Sequence, residues 1–352
     1  MLKGKHSRCG RGRLGIAACV ALGLALGISS CGTNKLPSNA VVNNEASMPT
    51  AAVLGYVWDS RISGLRTISG TLGAARLESA RVNSAFTGAT PCANRNFALL
   101  AGSLGIAVMS LPAGATIRVT NAIGTNQFIL LSPSCSNAFV YAPGSNNGML
   151  ISGLPGMPQI ASINLSSTGP IIGAAASDQG SLLLAALDSD GTANVSYVPS
   201  SGPPQLVKHL QKFGALAFLS GSETALIADA GANSVLRVTQ LGSTPTFATL
   251  ASAVSGVLRP IAVAASADGH FGFAANGSGG TILRFDLASK SAPVTIPCAC
   301  TPSEFIPLLG NAIFQLNDPA AGTIYALEGD SAVPRTLFIP TDGVVPANGG
   351  AQ

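Results

Sequence analysis

Apolar positions beyond about residue 50 fall in short runs that are separated by turns rich in Gly, Asp and Asn. Some runs alternate with polar residues and others are continuous, and both patterns are typical of strands with one or two buried faces. The clearest unit, residues 259–287, has an apolar strand, a turn at Asp268-Gly269, a strand ending in Asn276, a Gly turn and an alternating strand. The pattern predicts an all-β domain, and long amphipathic helices are not evident.

Residues 259–287, RPIAVAASADGHFGFAANGSGGTILRFDL, resemble one blade of the YVTN-type β-propellers. Blades of that family run approximately P-x-x-I-A-V-S-P-D-G, then F-V-A-N, then G-T-I-S-V-I-D, and the match is close here and loose elsewhere. The resemblance implies a propeller fold. It also implies two possible kinds of site, a lactonase active site and a metal site, because some members of this class are lactonases and others bind metal in the central channel through acids and Asn.

The second strand of this unit recurs along the chain, with starts near Tyr56, Phe97, Phe139, Leu182, Ala225, Phe271 and Ile313. Successive starts lie 41, 42, 43, 43, 46 and 42 residues apart, and four-stranded propeller blades repeat every 40 to 45 residues or so. We therefore predict a seven-bladed β-propeller of four-stranded antiparallel blades over residues 52–340. A large β-sandwich or a pair of all-β domains is the alternative, which uneven spacing would have favoured.

The first repeat has second, third and fourth strands but no convincing innermost strand, whereas the last, residues 302–340, has all four. Ring closure must then recruit either residues 48–52 or residues 343–346. We favour the second segment, which lies in a C-terminal tail of residues 341–352.

Innermost strands line the central channel of a propeller, and the repeat predicts them at residues 86–88, 127–131, 171–175, 215–219, 261–264 and 304–308. Nearly all of their side chains are apolar or small. Gln127 and Glu304 are the obvious polar groups, and two are too few for convergent acid–base or metal chemistry.

The first 30 residues have the features of an export signal. Residues 1–13 contain five Lys and Arg and no acid, and an apolar run follows at residues 14–28. The run is shorter than the roughly 20 residues of a spanning helix, and small residues follow it at once. We therefore predict a cleaved signal peptide at residues 1–30.

Residues 28–31, Ile-Ser-Ser-Cys, resemble the lipobox of bacterial lipoproteins, in which a diacylglycerol thioether forms on the Cys and cleavage makes that Cys the N-terminus. The resemblance implies lipidation of Cys31, with the membrane as a partner; a chance Cys after an ordinary signal is the alternative. Gly32 replaces the Asp of the enterobacterial inner-membrane sorting pattern, so the outer membrane is favoured. Residues 31–51 are predicted to be the lipidated Cys and a flexible tether.

The net charge of the predicted mature chain disfavours one class of partner, nucleic acids. Removing residues 1–30 takes away five of the 19 Lys and Arg and none of the 15 acids, which leaves 14 minus 15, or a net charge of −1. A nucleic-acid partner requires a basic surface, and none is predicted on the mature chain. No cofactor is predicted either.

Four cysteines follow the predicted lipidation site: Cys92, Cys135, Cys298 and Cys300. An even number in an exported protein favours disulfides. The first two fall in first-to-second-strand turns of neighbouring blades and the other two in the link between the last two blades, so the pairs lie on opposite propeller faces. We predict pairing within each set. A Cys-x-Cys metal or redox site is the alternative, but it needs further soft ligands nearby, and His209 and His270 are not at ligand spacing from these thiols.

His209 and His270 are also the candidate bases for a Ser-His-acid hydrolase, and we interpret both as ordinary surface residues. The chain has no G-x-S-x-G and no Walker loop, and GSGG at residues 277–280 is predicted to be a strand-joining turn. Catalytic residues are therefore not assigned.

Trp58 is the single tryptophan, and Asp59 and Arg66 flank the first strand turn. A functional interpretation makes Trp58 a stacking platform for sugar or peptide. We prefer the structural one, in which the ring packs between blades and the Asp and Arg order the turn.

The predicted function is that of a membrane-anchored envelope lipoprotein whose propeller is a non-catalytic binding or scaffolding module for a protein or small ligand. The main alternative is a lactonase-like or other hydrolytic propeller with its site in the central funnel. A carbohydrate-binding module is a third, which an aromatic content of 5% disfavours.

Overall fold

The computed structural model describes residues 52–340, except residues 83, 84, 125, 167 and 290. The predicted signal at residues 1–30, the tether at 31–51 with Cys31, and the tail at 341–352 lie outside the described residues. The described part of the chain contains no helix with the length and apolar character that crossing a bilayer requires.

Seven antiparallel sheets follow one another along the described chain, and each strand pairs with its neighbours in sequence. The first sheet contains β1 (Val53–Asp59), β2 (Gly64–Ser69) and β3 (Arg76–Val82). The second to fourth sheets contain β4 (Gly88–Cys92), β5 (Phe97–Gly102), β6 (Gly105–Ser110), β7 (Thr116–Thr120), β8 (Phe128–Leu131), β9 (Asn137–Tyr141), β10 (Asn147–Ser152), β11 (Gln159–Asn164), β12 (Ile171–Ala176), β13 (Leu182–Leu187), β14 (Ala193–Val198) and β15 (Gln205–Leu210).

The fifth to seventh sheets contain β16 (Phe213–Phe218), β17 (Ala225–Asp229), β18 (Ser234–Thr239), β19 (Thr246–Ala251), β20 (Pro260–Ala265), β21 (Phe271–Asn276), β22 (Thr281–Asp286), β23 (Val294–Pro297), β24 (Ile306–Pro307), β25 (Ile313–Gln315), β26 (Ile324–Glu328) and β27 (Arg335–Ile339). Short 3-10 turns occur at Ala93–Arg95, Ala253–Ser255 and Pro319–Ala321. The predicted seven-bladed β-propeller is confirmed. Blade 1 has three described strands and the other blades have four.

The second strands of the blades are buried on both faces. All six residues of β5 are buried: Phe97, Leu99 and Ala101 enter the apolar cluster shared with blade 3, whereas Ala98 and Leu100 enter the cluster shared with blade 1. Successive side chains of a strand point to opposite faces, so a continuous apolar run is what two covered faces require. The outermost strands β11 and β19 are mostly exposed.

Each pair of neighbouring blades shares one apolar cluster, which makes seven clusters around the ring. The cluster between blades 7 and 1 contains Val57 and Leu77 from one blade and Leu308 and Ile324 from the other. The Leu309 N–H also donates to the Leu54 carbonyl oxygen at 2.7 Å. Side-chain packing and a backbone hydrogen bond therefore join the two ends of the ring.

Polar side chains also join neighbouring blades. Asp178, in the turn between β12 and β13, accepts hydrogen bonds from the Ser134 amide at 2.8 Å, the Ser134 hydroxyl at 2.6 Å and the Gly221 amide at 2.8 Å. Three consecutive blades thus meet at one carboxylate. These hydrogen bonds hold the pKa of Asp178 below its ordinary value, although burial opposes them.

The innermost strand of blade 2 differs from the prediction. Residues 86–88 were expected to form it, but the strand is β4, which shares only Gly88 with that segment, and Phe86 is buried between blades 1 and 2. The reason is the short connection to β5, a single 3-10 turn that ends with Asn96 in the left-handed conformation (φ 52°). A turn this short forces the preceding strand to end at Cys92. The other predicted innermost segments overlap observed strands.

Disulfides join Cys92 to Cys135 and Cys298 to Cys300. The first connects the end of β4 in blade 2 to the β8–β9 turn of blade 3, across a Cα–Cα distance of 6.3 Å, within the range that a disulfide spans. The second lies within the link between blades 6 and 7. The first bond therefore crosses a blade interface and the second does not.

Arg66 orders blade 1 from within. Its guanidinium donates to the Glu78 carbonyl oxygen at 2.8 Å, where the pairing of β2 and β3 is shifted by a bulge, and it lies 3.5 Å from the fully buried Asp59 carboxylate. Arg61, which is 40% exposed, donates to the same carboxylate at 2.9 and 3.0 Å. Hydrogen bonding from Arg61 holds the pKa of Asp59 below its ordinary value against the effect of burial.

We expect the double variant Cys92→Ser/Cys135→Ser to lose about 4 kcal/mol of unfolding free energy, because the bond closes a long loop. The matched control Cys298→Ser/Cys300→Ser removes a bond that closes a loop of only three residues, so it should lose roughly 1.5 kcal/mol. Urea denaturation under non-reducing conditions measures both, and an equal loss in the two variants would contradict the inter-blade role of the first bond.

Arg66→Met should destabilise the protein by about 3–5 kcal/mol, because it leaves a buried carboxylate and a bulge carbonyl without their buried donor. The control Arg335→Met removes an exposed arginine that pairs with Glu328 and should cost about 1 kcal/mol or less. Chemical denaturation of the two variants compares them directly. An equal loss in the two variants would show that Arg66 does not order this blade.

Candidate functional site

The central channel contains a cavity of about 390 Å³. Its wall is built from the innermost strands of six blades, β4, β8, β12, β16, β20 and β24, together with the residues that adjoin them. Blade 1 contributes none of the described lining residues. The cavity is therefore bounded by six blades and lies next to the blade that has three described strands.

The lining of this cavity is mostly apolar, with Ala residues from β12, β16 and β20, larger aliphatic residues from β8, β16, β20 and β24, and Phe305 and Phe314 from blade 7. Two of its polar side chains bind backbone groups. The Thr90 hydroxyl donates to the Ile129 carbonyl oxygen at 3.1 Å, and the Ser132 hydroxyl accepts from the backbone N–H of Asn137 at 3.2 Å. These hydroxyls are engaged with backbone groups. The wall presents chiefly hydrocarbon.

Glu304 is the one ionisable side chain in the described lining. It precedes β24, is half-buried, and its backbone N–H donates to the Leu316 carbonyl oxygen at 3.3 Å. Burial, and secondarily the negative charge of Asp318, raise the pKa of Glu304 to about 7. Among the described residues, its carboxyl makes no hydrogen bond or ion pair.

Gln127, the second polar group expected in the channel, does not line the cavity. Its amide nitrogen donates to the Gly102 carbonyl oxygen at 3.3 Å, and its amide oxygen accepts from the Ile123 N–H at 3.4 Å. Both ends of the side chain therefore bind backbone, one in β5 of blade 2 and the other in the link between blades 2 and 3. Of the two predicted polar residues, the structure brings Glu304 alone to the channel.

The two histidines of the described chain lie away from the channel. His209 is on the outermost strand β15, with its Nδ1 2.9 Å from the Asn194 Oδ1, and His270 is an exposed turn residue 3.7 Å from Asp268. Neither belongs to the cavity lining. Within the described residues, no group of three His, Cys, Asp or Glu side chains is placed to hold a metal ion.

Trp58 packs against the apolar cluster between blades 1 and 2. Its indole N–H is buried and has no hydrogen-bond partner among the described residues. The ring is therefore part of the packing between these two blades, and Asp59 and Arg66 form the buried interactions of blade 1.

The sequence did not reveal that the Cys92–Cys135 disulfide belongs to the channel wall. Both cysteines line the cavity together with Pro91 and Pro133. Their positions in the sequence could have indicated this, because the turns between the first and second strands of all blades lie at the same end of the channel. A covalent bond therefore fixes the separation of two blades at the cavity itself.

No protein-family model matches the chain, and no curated protein matches it. Among solved structures, it is similar to a putative 6-phosphogluconolactonase from Bacteroides fragilis, with a TM-score of 0.56 and 12% identity over 85% of this chain and 97% of that one. It is also similar to a protein from Lactobacillus plantarum (TM-score 0.55, 13% identity, 83% and 97% covered). Virginiamycin B lyase from Staphylococcus aureus has a TM-score of 0.53 and 12% identity over 72% and 84%. At such low identities, these likenesses show a shared β-propeller fold alone.

Proposed function

We propose that this protein is a lipid-anchored lipoprotein of the bacterial cell envelope whose propeller binds a small, largely apolar ligand in the central channel without catalysing a reaction. The observation that carries the proposal is the channel cavity of about 390 Å³. Small-molecule sites are typically concave, predominantly apolar and roughly 300–1,000 Å³ in volume. The cavity has this size and this chemical character.

Binding is favoured over catalysis by what the lining can do. General acid–base catalysis and metal-assisted hydrolysis both need convergent groups around one reacting atom. Glu304 is the single ionisable group in the described lining, so it has no second carboxylate or base there with which to share a proton transfer. The lactonase-like alternative is drawn from fold likeness, which does not specify chemistry.

Membrane anchoring is proposed from the N-terminal sequence. The basic segment, the apolar run and the lipobox-like residues 28–31 occur in the order of a lipoprotein signal, and acylation of Cys31 would hold the mature chain on a membrane. Gly32 favours the outer membrane. The net charge of −1 calculated for the mature chain fits a neutral or apolar ligand better than a polyanion.

N-phenyl-1-naphthylamine, a neutral apolar dye that fluoresces in dry sites, should bind the purified protein saturably and with one-to-one stoichiometry. Ala217→Phe places a bulky ring in the cavity wall and should weaken dye binding tenfold or more, as expected when a ligand's space is filled. The matched control Ala248→Phe lies on the exposed outer strand β19 of the same blade and should bind normally. Absence of saturable binding, or equal binding by both variants, would contradict a channel site.

Cys31→Ala should abolish incorporation of labelled palmitate and release the protein from the membrane fraction. Cys19→Ala, which changes a cysteine inside the predicted signal, is the control and should leave labelling intact. Metabolic labelling with fractionation measures both effects. Continued labelling of the Cys31→Ala protein would refute the anchoring proposal.

A further inference from the structure

Glu304 is the one ionisable side chain of the described cavity lining, and among the described residues it has no cationic partner. Several other carboxylates of the described chain do have partners: Asp59 has two arginines, Asp178 a hydroxyl and two backbone amides, and Glu328 has Arg335 at 2.7 Å. Burying an ionised group is costly unless a partner compensates it. The Glu304 carboxyl has no such compensation among the described residues.

We propose that the channel ligand is an apolar amine, with its ammonium group bound by Glu304 and its hydrocarbon body seated among the aliphatic and aromatic wall residues. This inference rests on the proposed channel-binding function and specifies the chemical class of the ligand. An ammonium group would supply charge-assisted hydrogen bonds, which are the strong ones. The rest of the described wall offers an apolar body extensive hydrocarbon contact and no competing charge.

The surroundings of Glu304 direct a cation to it rather than elsewhere. Asp318 is the charged group that acts on Glu304; its carboxylate accepts from the Ala320 N–H at 2.7 Å, and it interacts electrostatically with Arg61. The described wall residues contributed by β4, β8, β12, β16 and β20 carry no ionisable side chain, since Cys92 and Cys135 are in a disulfide. A ligand ammonium is therefore the natural partner for Glu304.

The pH dependence of binding follows from the protonation of Glu304. Below its pKa of about 7 the carboxyl is neutral and attracts an ammonium weakly, and above it the carboxylate pairs with the cation. An alkylamine itself stays protonated to about pH 10. Affinity for an amine should therefore rise about tenfold between pH 6 and pH 8, following the ionised fraction of Glu304, and then level off. A neutral ligand should show no such rise.

The test compares two dyes that differ in one group: dansylcadaverine, which ends in a primary amine, and N-hexyl dansylamide, in which a methyl replaces that amine. At pH 8.5 the wild-type protein should bind dansylcadaverine about tenfold more tightly, the value of one charge-assisted hydrogen bond. Glu304→Gln should bind the two dyes equally and without the rise from pH 6 to pH 8.

Asp318→Asn provides a second variant whose effect a merely structural role would not produce. Asn also caps helical turns well, so the local fold should persist, while removal of the neighbouring negative charge lowers the pKa of Glu304. The midpoint of the pH profile should move to lower pH, and the preference for the amine at pH 8.5 should remain.

The outcomes separate the two proposals. Tight amine binding that Glu304→Gln removes supports the inference. Equal binding of both dyes by the wild-type protein, or a preference that survives in Glu304→Gln, overturns it and leaves the channel-binding function standing. Failure of the wild-type protein to bind either dye saturably overturns the proposed function together with the inference.

Discussion

The structure depends on one constraint, which is that both faces of every blade must be covered. Continuous apolar second strands such as β5 and β17 project large side chains to both sides, and a single sheet cannot bury them alone. Each blade therefore needs two neighbours, and a row of blades satisfies its end members only by closing on itself. The seven apolar clusters are the physical form of that closure.

The same constraint creates the channel. Innermost strands converge on the ring axis, where space is scarce, so Ala is frequent in β12, β16 and β20. Small side chains leave a cavity rather than a filled centre. A carboxyl in that position must be desolvated, which is why the pKa of Glu304 departs from that of an ordinary surface glutamate. The raised pKa of Glu304 thus follows from its position in the fold and could not be predicted from the residues next to it in the sequence.

Much of the fold was predictable because repetition is a property of sequence spacing. The strand starts at Phe97, Leu182, Ala225, Phe271 and Ile313 are observed where the repeat places them. The position of β4 was not predictable, because it depends on a turn conformation at Asn96. Glu304 could be placed in the channel from the repeat. The exclusion of Gln127 from the channel could not be predicted, since that depends on the hydrogen bonds of its side chain to the backbone of Gly102 and Ile123.

The hydrogen bond between Leu309 and Leu54 joins residues that are 255 positions apart in the chain. The entropic cost of closing a loop grows with the length of the loop, and contacts between residues far apart in the sequence slow folding. The seam between blades 7 and 1 is therefore the last part of the ring that can assemble during synthesis, and until then Val57 and Leu77 of blade 1 lack their covering partners. Nascent chains that end before blade 7 carry an uncovered apolar sheet, which makes them the natural clients of holding chaperones.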